Sequence, residues 1–135
     1  MPNMYTLCEQ FGQILGGKHT IENGVCSVKI KRNDLHTSIM GKNAVSDHVI
    51  GAMFSFESLD EQGNALNLGE TALKQEEVYP FISLLQQQGI FVNSLHNHWL
   101  FMEPLLMFVH FSSIENPILF AQKVAYTFQQ VKKMI

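Results

Sequence analysis

Apolar residues recur along this chain with two periods, and the changes from one to the other mark out its elements. Met4, Leu7, Cys8, Phe11 and Leu15 fall at helical spacing and Gly16-Gly17 supplies a stop, so a first helix is predicted over about 4–15. Cys26, Val28 and Ile30 then alternate with Ser27, Lys29 and Lys31, the pattern of a strand buried on one face. Ile50, Ala52, Phe54 and Phe56 repeat the alternation within HVIGAMFSFESL, residues 48–59. The DEQG stretch before ALNL reads as a hairpin turn with Gly63 where a positive φ is wanted, so these two strands should pair antiparallel.

A second helix is predicted over about 75–88, with Val78, Phe81, Ile82 and Leu85 on one stripe and Gly89 closing it. Pro80 is accepted easily only in a first turn, so this helix either begins near Glu76 or opens irregularly. Two strands follow, GIFVNSLHNHW and LLMFVHFSS, joined across LFMEP by a hairpin loop. The last helix has Asn116 as N-cap and Pro117 at its first position, and its stripe of Ala121, Val124, Ala125, Phe128 and Val131 carries it to about 131. The order is α-β-β-β-α-β-β-α without internal repeat or linker. The reading is one α+β domain over 1–135, a mostly antiparallel sheet of about five strands with helices packed on it.

Composition agrees with a folded domain, since 46% of the 135 residues are hydrophobic and only 16% are charged. The net charge is −3 and the cations are scattered, Lys29, Lys31 and Arg32 being the densest group, so no nucleic-acid partner is expected. The N-terminal stretch has no basic region or sustained apolar run, and no other run reaches the ~18–20 residues of a bilayer span, so no membrane partner is expected either. Cys8 and Cys26 lack CxxC spacing and are expected as two buried, reduced thiols, which implies a cytoplasmic protein. No glycine-rich phosphate loop and no GxSxG elbow occurs, so no nucleotide cofactor is expected.

Candidate chemistry gathers at the last hairpin, where three of the six histidines and a glutamate stand in a segment otherwise patterned as buried strand. Residues i and i+2 of a strand project together, so His96 and His98 form a chelating pair. A register in which paired residue numbers total 206 sets His96 directly opposite His110, whereas a total of 205 turns His110 to the other face. Glu103, at or just after the turn, can reach back as a fourth ligand or as a general base. Three imidazoles and a carboxylate suit zinc first, then iron, manganese or nickel as divalent ions. The competing reading makes His96 and His98 exposed bystanders and His110 a core imidazole satisfied by a backbone carbonyl. Arg32 and Asp34, at the end of the first strand, are either a pair that orients a ligand or cofactor or an exposed ion pair. His19, His36 and His48 read as solvated residues in or beside loops, with His36 an outside ligand candidate, and Glu70, Glu76 and Glu77 as carboxylates that complement a helix dipole. Trp99 and Phe101 are either core or the wall of a pocket above the histidines.

The spacing H-x-H-x4-E with a later histidine is similar to the cupin metal motif, although the many regular strands of a jelly roll are missing. A closer likeness covers about residues 10–130. Leu95-His96-Asn97-His98, Glu103-Pro104 and His110-Phe111, preceded by a helix and by VKIKRNDLHTSIMG with Arg32, Asp34 and Gly41, resemble the uncharacterised bacterial family named after the mycobacterial lipoproteins LppY and LpqO. The resemblance implies a site at His96, His98, Glu103 and His110 but no activity. Members are commonly exported lipoproteins with two copies of the domain. This chain has one copy and no lipobox at Cys8, and Phe101 and Met102 stand where smaller or acidic residues are expected. Two function classes remain, a metal-dependent enzyme acting on a small molecule and a non-catalytic ligand-binding, sensing or structural module. The apolar tip Trp99-Leu100-Phe101-Met102 and the family's paired domains lead to the expectation of a homodimer.

Overall fold

The predicted helices form where their caps place them. In the computed structural model, which describes residues 3–134, helix α1 (Met4–Leu15) begins at Asn3, whose side chain accepts a hydrogen bond from the backbone N–H of Tyr5 at 2.7 Å. It ends at Gly16, which takes the left-handed φ of 79° that only glycine adopts freely. Strands β1 (Lys18–Glu22), β2 (Val25–Lys31), β3 (Thr37–Ile39) and β4 (Lys42–Ala44) follow, then a short helix α2 (Asp47–Ile50). Next come β5 (Gly51–Glu57), β6 (Ala65–Lys74), α3 (Gln75–Gln87), β7 (Phe91–His96), β8 (Met102–Glu103), β9 (Leu106–Glu115) and α4 (Pro117–Met134). Asn116 caps α4 as expected, its side chain accepting from the N–H groups of Ile118 and Leu119.

Strands β1, β3, β4 and β8 and helix α2 were not expected from the sequence pattern, whereas α3 lies where its stripe predicts. The strand expected from His48 begins only at Gly51, because 47–50 close a helical turn whose junction leaves no room for a Cβ on Gly51 beside the Asp47 carbonyl. Helix α3 starts at Gln75, so Pro80 lies inside it, and the hydrogen bond it cannot make is the one to the carbonyl of Glu76.

Six strands form an antiparallel sheet in the order β1-β2-β5-β6-β9-β7, and β4-β3-β8 form a separate small sheet. Helices α1, α3 and α4 cover one face of the large sheet. There Phe11, Phe54, Phe56, Phe81, Phe111 and Phe120 are fully buried, in ring pairs with centroids 5.0 to 6.3 Å apart. Each ring removed from water contributes roughly 1.5–3 kcal/mol. Gly69 is required under this cluster, since a Cβ there would collide with the ring of its cross-strand partner Phe111. The other face is open except at one end. That end carries a smaller core of Leu35, Val49, Ile50, Ala72, Met102, Leu106 and Phe108, where the 32–50 segment and the small sheet pack on β6 and β9.

Arg32 braces the two layers. Its guanidinium meets both carboxylate oxygens of the buried Glu77 at 2.7 and 2.9 Å and donates to the carbonyl of Ala72 at 3.1 Å. Burial works against that charge, but the hydrogen bonds and charges of Glu77 and Asp34 outweigh it, so the guanidinium is held more firmly protonated than usual. Glu77 also accepts from the N–H of Lys74, which ties the start of α3 to the end of β6.

The expectation of two reduced thiols is overturned: Cys8 of α1 and Cys26 of β2 are joined by a disulfide. Packing α1 across the β1–β2 hairpin brings their Cα atoms to 5.6 Å, a contact that spacing along the chain does not reveal. Among the described residues, no helix is long and apolar enough to cross a membrane.

Two outcomes follow from this packing. Glu77→Ala leaves the Arg32 charge buried without its main partner and should lower the unfolding free energy by about 3–5 kcal/mol in a denaturant titration. Alkylation followed by mass spectrometry should label neither cysteine in unfolded, unreduced protein and both after reduction; labelling before reduction would contradict the disulfide.

Candidate metal centre

The histidines owe their common face to one extra residue. At its start β7 pairs Phe91 with Ser112 and Val92 with Phe111, a register that, continued, would turn His96 toward the helices. A bulge at Asn93 shifts the pairing, so that Ser94 faces His110, Leu95 faces Val109 and His96 faces Phe108. His96 and His110 are therefore diagonal neighbours on the open face, not directly opposed as the even register had it. His98 lies just past the strand and folds back, its ring stacked on Phe108 at 4.2 Å and on His96 at 4.7 Å.

The small sheet and α2 hold this returning segment. Met102 and Glu103 pair with Ile39 and Ser38, Thr37 donates to the carbonyl of Pro104 at 2.7 Å, and Trp99 Nε1 donates to the carbonyl of His48 at 3.1 Å. The connection between β7 and β9 is thus a fastened excursion and not a short hairpin loop.

One ligand nitrogen from each of His96, His98 and His110 lies within 4.8 Å of the others. An ion with bonds of ~2.0–2.2 Å closes such a triangle by small ring movements. The Nε2 atoms of His96 and His110 face each other at 2.9 Å. Each ring's other nitrogen has an oxygen nearby. His96 Nδ1 is 3.4 Å from the carbonyl of Asn97, and His110 Nδ1 is 3.5 Å from Glu70 Oε2. Two imidazole nitrogens at this distance share one proton, as donor and acceptor, or bind one cation together. Desolvation of the His98 ring, and then the neighbouring His96 and His110, lower its pKa below that of a free imidazole; Glu70 and the His48 carbonyl oppose the shift without cancelling it.

Glu70 was not anticipated at the site. It stands on β6 as the cross-strand partner of His110, and not at a helix start. The alternation of Ala65, Asn67, Gly69, Thr71 and Leu73 toward the helices was its signal, had β6 been followed past Leu68. Glu103 is not part of the group. It is exposed on β8, its carbonyl accepting from Ser38, and no oxygen of it lies with the three nitrogens. Arg32 and Asp34 form an ion pair at 3.1 Å and line a hollow of about 570 Å³ that shares no residue with the one beside the histidines. His36 is exposed outside the cluster, and His19 is exposed near the start of the edge strand β1.

Beside the histidines the open face sinks into a hollow of about 230 Å³. Its walls are Lys29 of β2, Asp47 and His48 of α2, Met53 of β5, Glu70, and the faces of His98 and Phe108. The arrangement offers three imidazole nitrogens close enough to share an ion, with the hollow adjoining. That is the chemistry of an ion held by protein ligands and open to a small molecule.

Compared with known proteins, residues 9–130 match the family model described as a Domain of Unknown Function (DUF1259). No curated protein and no solved structure matches the chain.

Proposed function

The chain belongs to that family of unknown function, and from this premise we propose that it is a metal-binding domain in which His96, His98 and His110 hold one divalent transition ion for a small molecule in the adjoining hollow. We take the family to be the one named after LppY and LpqO, on the strength of Leu95-His96-Asn97-His98, Glu103-Pro104 and His110-Phe111. The reading rests on one observation, a ligand nitrogen from each of His96, His98 and His110 lying within 4.8 Å of the others. Zinc suits three imidazoles best, with iron, manganese and nickel as alternatives. Glu70, 3.5 Å from His110 Nδ1, orients that ring in the manner of the carboxylates that back metal-bound histidines, a role distinct from the ligand or general base that the sequence pattern had suggested in Glu103. An ion with three protein ligands keeps a position for water or substrate, so a metal-dependent enzyme is the reading the site favours. A ligand-binding or sensing module without turnover uses the same geometry. The cytoplasmic expectation rested on free thiols; with Cys8 and Cys26 joined, we instead place the chain where disulfides persist.

The tip of the histidine excursion carries a second proposal. Leu100 and Phe101 are 70% and 75% exposed, and Met40, whose N–H donates to the Phe101 carbonyl, is 74% exposed. Apolar side chains grouped in this way mark a contact surface, and we propose that it joins two copies of the chain in a symmetric dimer.

Elemental analysis of purified, zinc-loaded protein should find about one ion per chain, and a His96→Ala, His98→Ala double variant should retain less than about a tenth of it while keeping its circular dichroism. Equal metal in parent and variant would reject the site. Because the ligands must be neutral, affinity should fall as pH drops through the imidazole range near ~6.5, with His98 holding out to lower pH because its pKa is depressed. Light scattering should give a dimer mass for the parent and a monomer mass for Phe101→Glu; a monomeric parent would end the dimer proposal.

A further inference from the structure

The hollow beside the histidines has a charge pattern that selects its occupant. Lys29, Met53, Glu70 and His110 are successive cross-strand partners on β2, β5, β6 and β9, so their side chains form one row on the open face. At ~4.8 Å per strand, the row runs about 14 Å from the backbone of Lys29 to that of His110. A lysine side chain reaching in from one end and an imidazole with its ion from the other leave a gap of only a few atoms. The volume of about 230 Å³ agrees, since it is below the ~300–1,000 Å³ of pockets that take drug-sized molecules.

The charges are unequally engaged. Glu70 is turned to His110, whereas the exposed Lys29 has no carboxylate within ion-pair distance among the described residues. Asp47 stands at the lip on α2, and the remaining wall is largely apolar, Ala52, Met53 and Phe108. With a divalent ion on the histidines, the groups around the hollow carry a net positive charge after Asp47 and Glu70 are counted against the ion and Lys29.

We infer that this hollow takes a small organic monoanion, a carboxylate, which gives one oxygen to the ion, presents its charge to Lys29 and lays its hydrocarbon part on Met53 and Phe108. The inference rests on the metal reading, because without the ion the two carboxylates would outweigh Lys29 and repel such a ligand.

Cobalt(II) is the probe that separates the two, because its visible spectrum reports both its binding and any change of ligand. Metal-free protein is loaded with cobalt and titrated with butyrate, with the neutral butyramide and with inorganic phosphate. Butyrate should shift the spectrum saturably, butyramide should leave it unchanged, and phosphate should bind more weakly than butyrate. Lys29→Met should keep the parent cobalt spectrum and bind butyrate roughly tenfold more weakly or worse, as expected for loss of one charge-assisted contact, while Lys29→Arg should retain most of the affinity. If the cobalt spectrum forms but butyrate has no effect, or butyramide or phosphate binds as well, or Lys29→Met binds butyrate like the parent, the inference is overturned and the metal reading stands. If no cobalt spectrum forms, both fall.

Discussion

Side chains along a strand alternate between two faces, and in this sheet the helices have taken one of them. Phe54, Phe56 and Phe111 must stand at alternate positions under α1, α3 and α4, and whatever lies between them is turned to the other side. On β6 and β9 those intervening positions include Glu70 and His110, which therefore face away from the aromatic core and toward each other. The opening residues of β7 are out of phase with this scheme, and the extra residue at Asn93 brings His96 back to the open face. Placing the bulge on an edge strand limits the loss, because β7 has a ladder on one side only.

Two of the molecule's charged systems are finished in different ways. Arg32 and Glu77 lie almost out of water, and the guanidinium is shared among Glu77, Asp34 and the carbonyl of Ala72, so little of its hydrogen-bonding capacity is left over. That is a brace, which sets α3 on the end of β6. The histidine group is half-open to solvent, Glu70 stands beside His110, and the nitrogens of the three rings converge. Closure in one case and convergence in the other separate a structural ion pair from a candidate site, although the sequence pattern made both candidates.

What could be read from the sequence was local. Asn3, Gly16, Gly89, Asn116 and Pro117 act through neighbours a few residues away, and the three long helices appear where those residues put them. The alternation at Cys26, Val28 and Ile30 and at Ala52, Phe54 and Phe56 was equally visible, since burial of one strand face is written into each strand separately. Strands β3, β4 and β8 are two or three residues long and exist only through partners distant in the chain, so no periodicity announces them. The same holds for the site. His96, His98 and His110 could be picked out by type and spacing, but Glu70 joins them through the β6–β9 pairing, and Glu103 leaves them because its segment pairs with β3. The pairing of Cys8 with Cys26 likewise depends on where α1 lies across the hairpin.

The Cys8–Cys26 bond encloses the whole of β1, the strand at one margin of the large sheet, in a covalent loop. A marginal strand is the part of a sheet most able to peel off and offer its unpaired backbone to another chain, the first step of many aggregation routes. Here the ring ties α1 to β2 across β1, so peeling β1 requires distorting a closed loop as well as breaking its ladder. The opposite margin, β7, has no such fastening and bears the exposed Phe91 beside the bulge. Self-association through strand pairing, if the sheet is ever opened, therefore has a preferred side, and it is the one that carries the histidines.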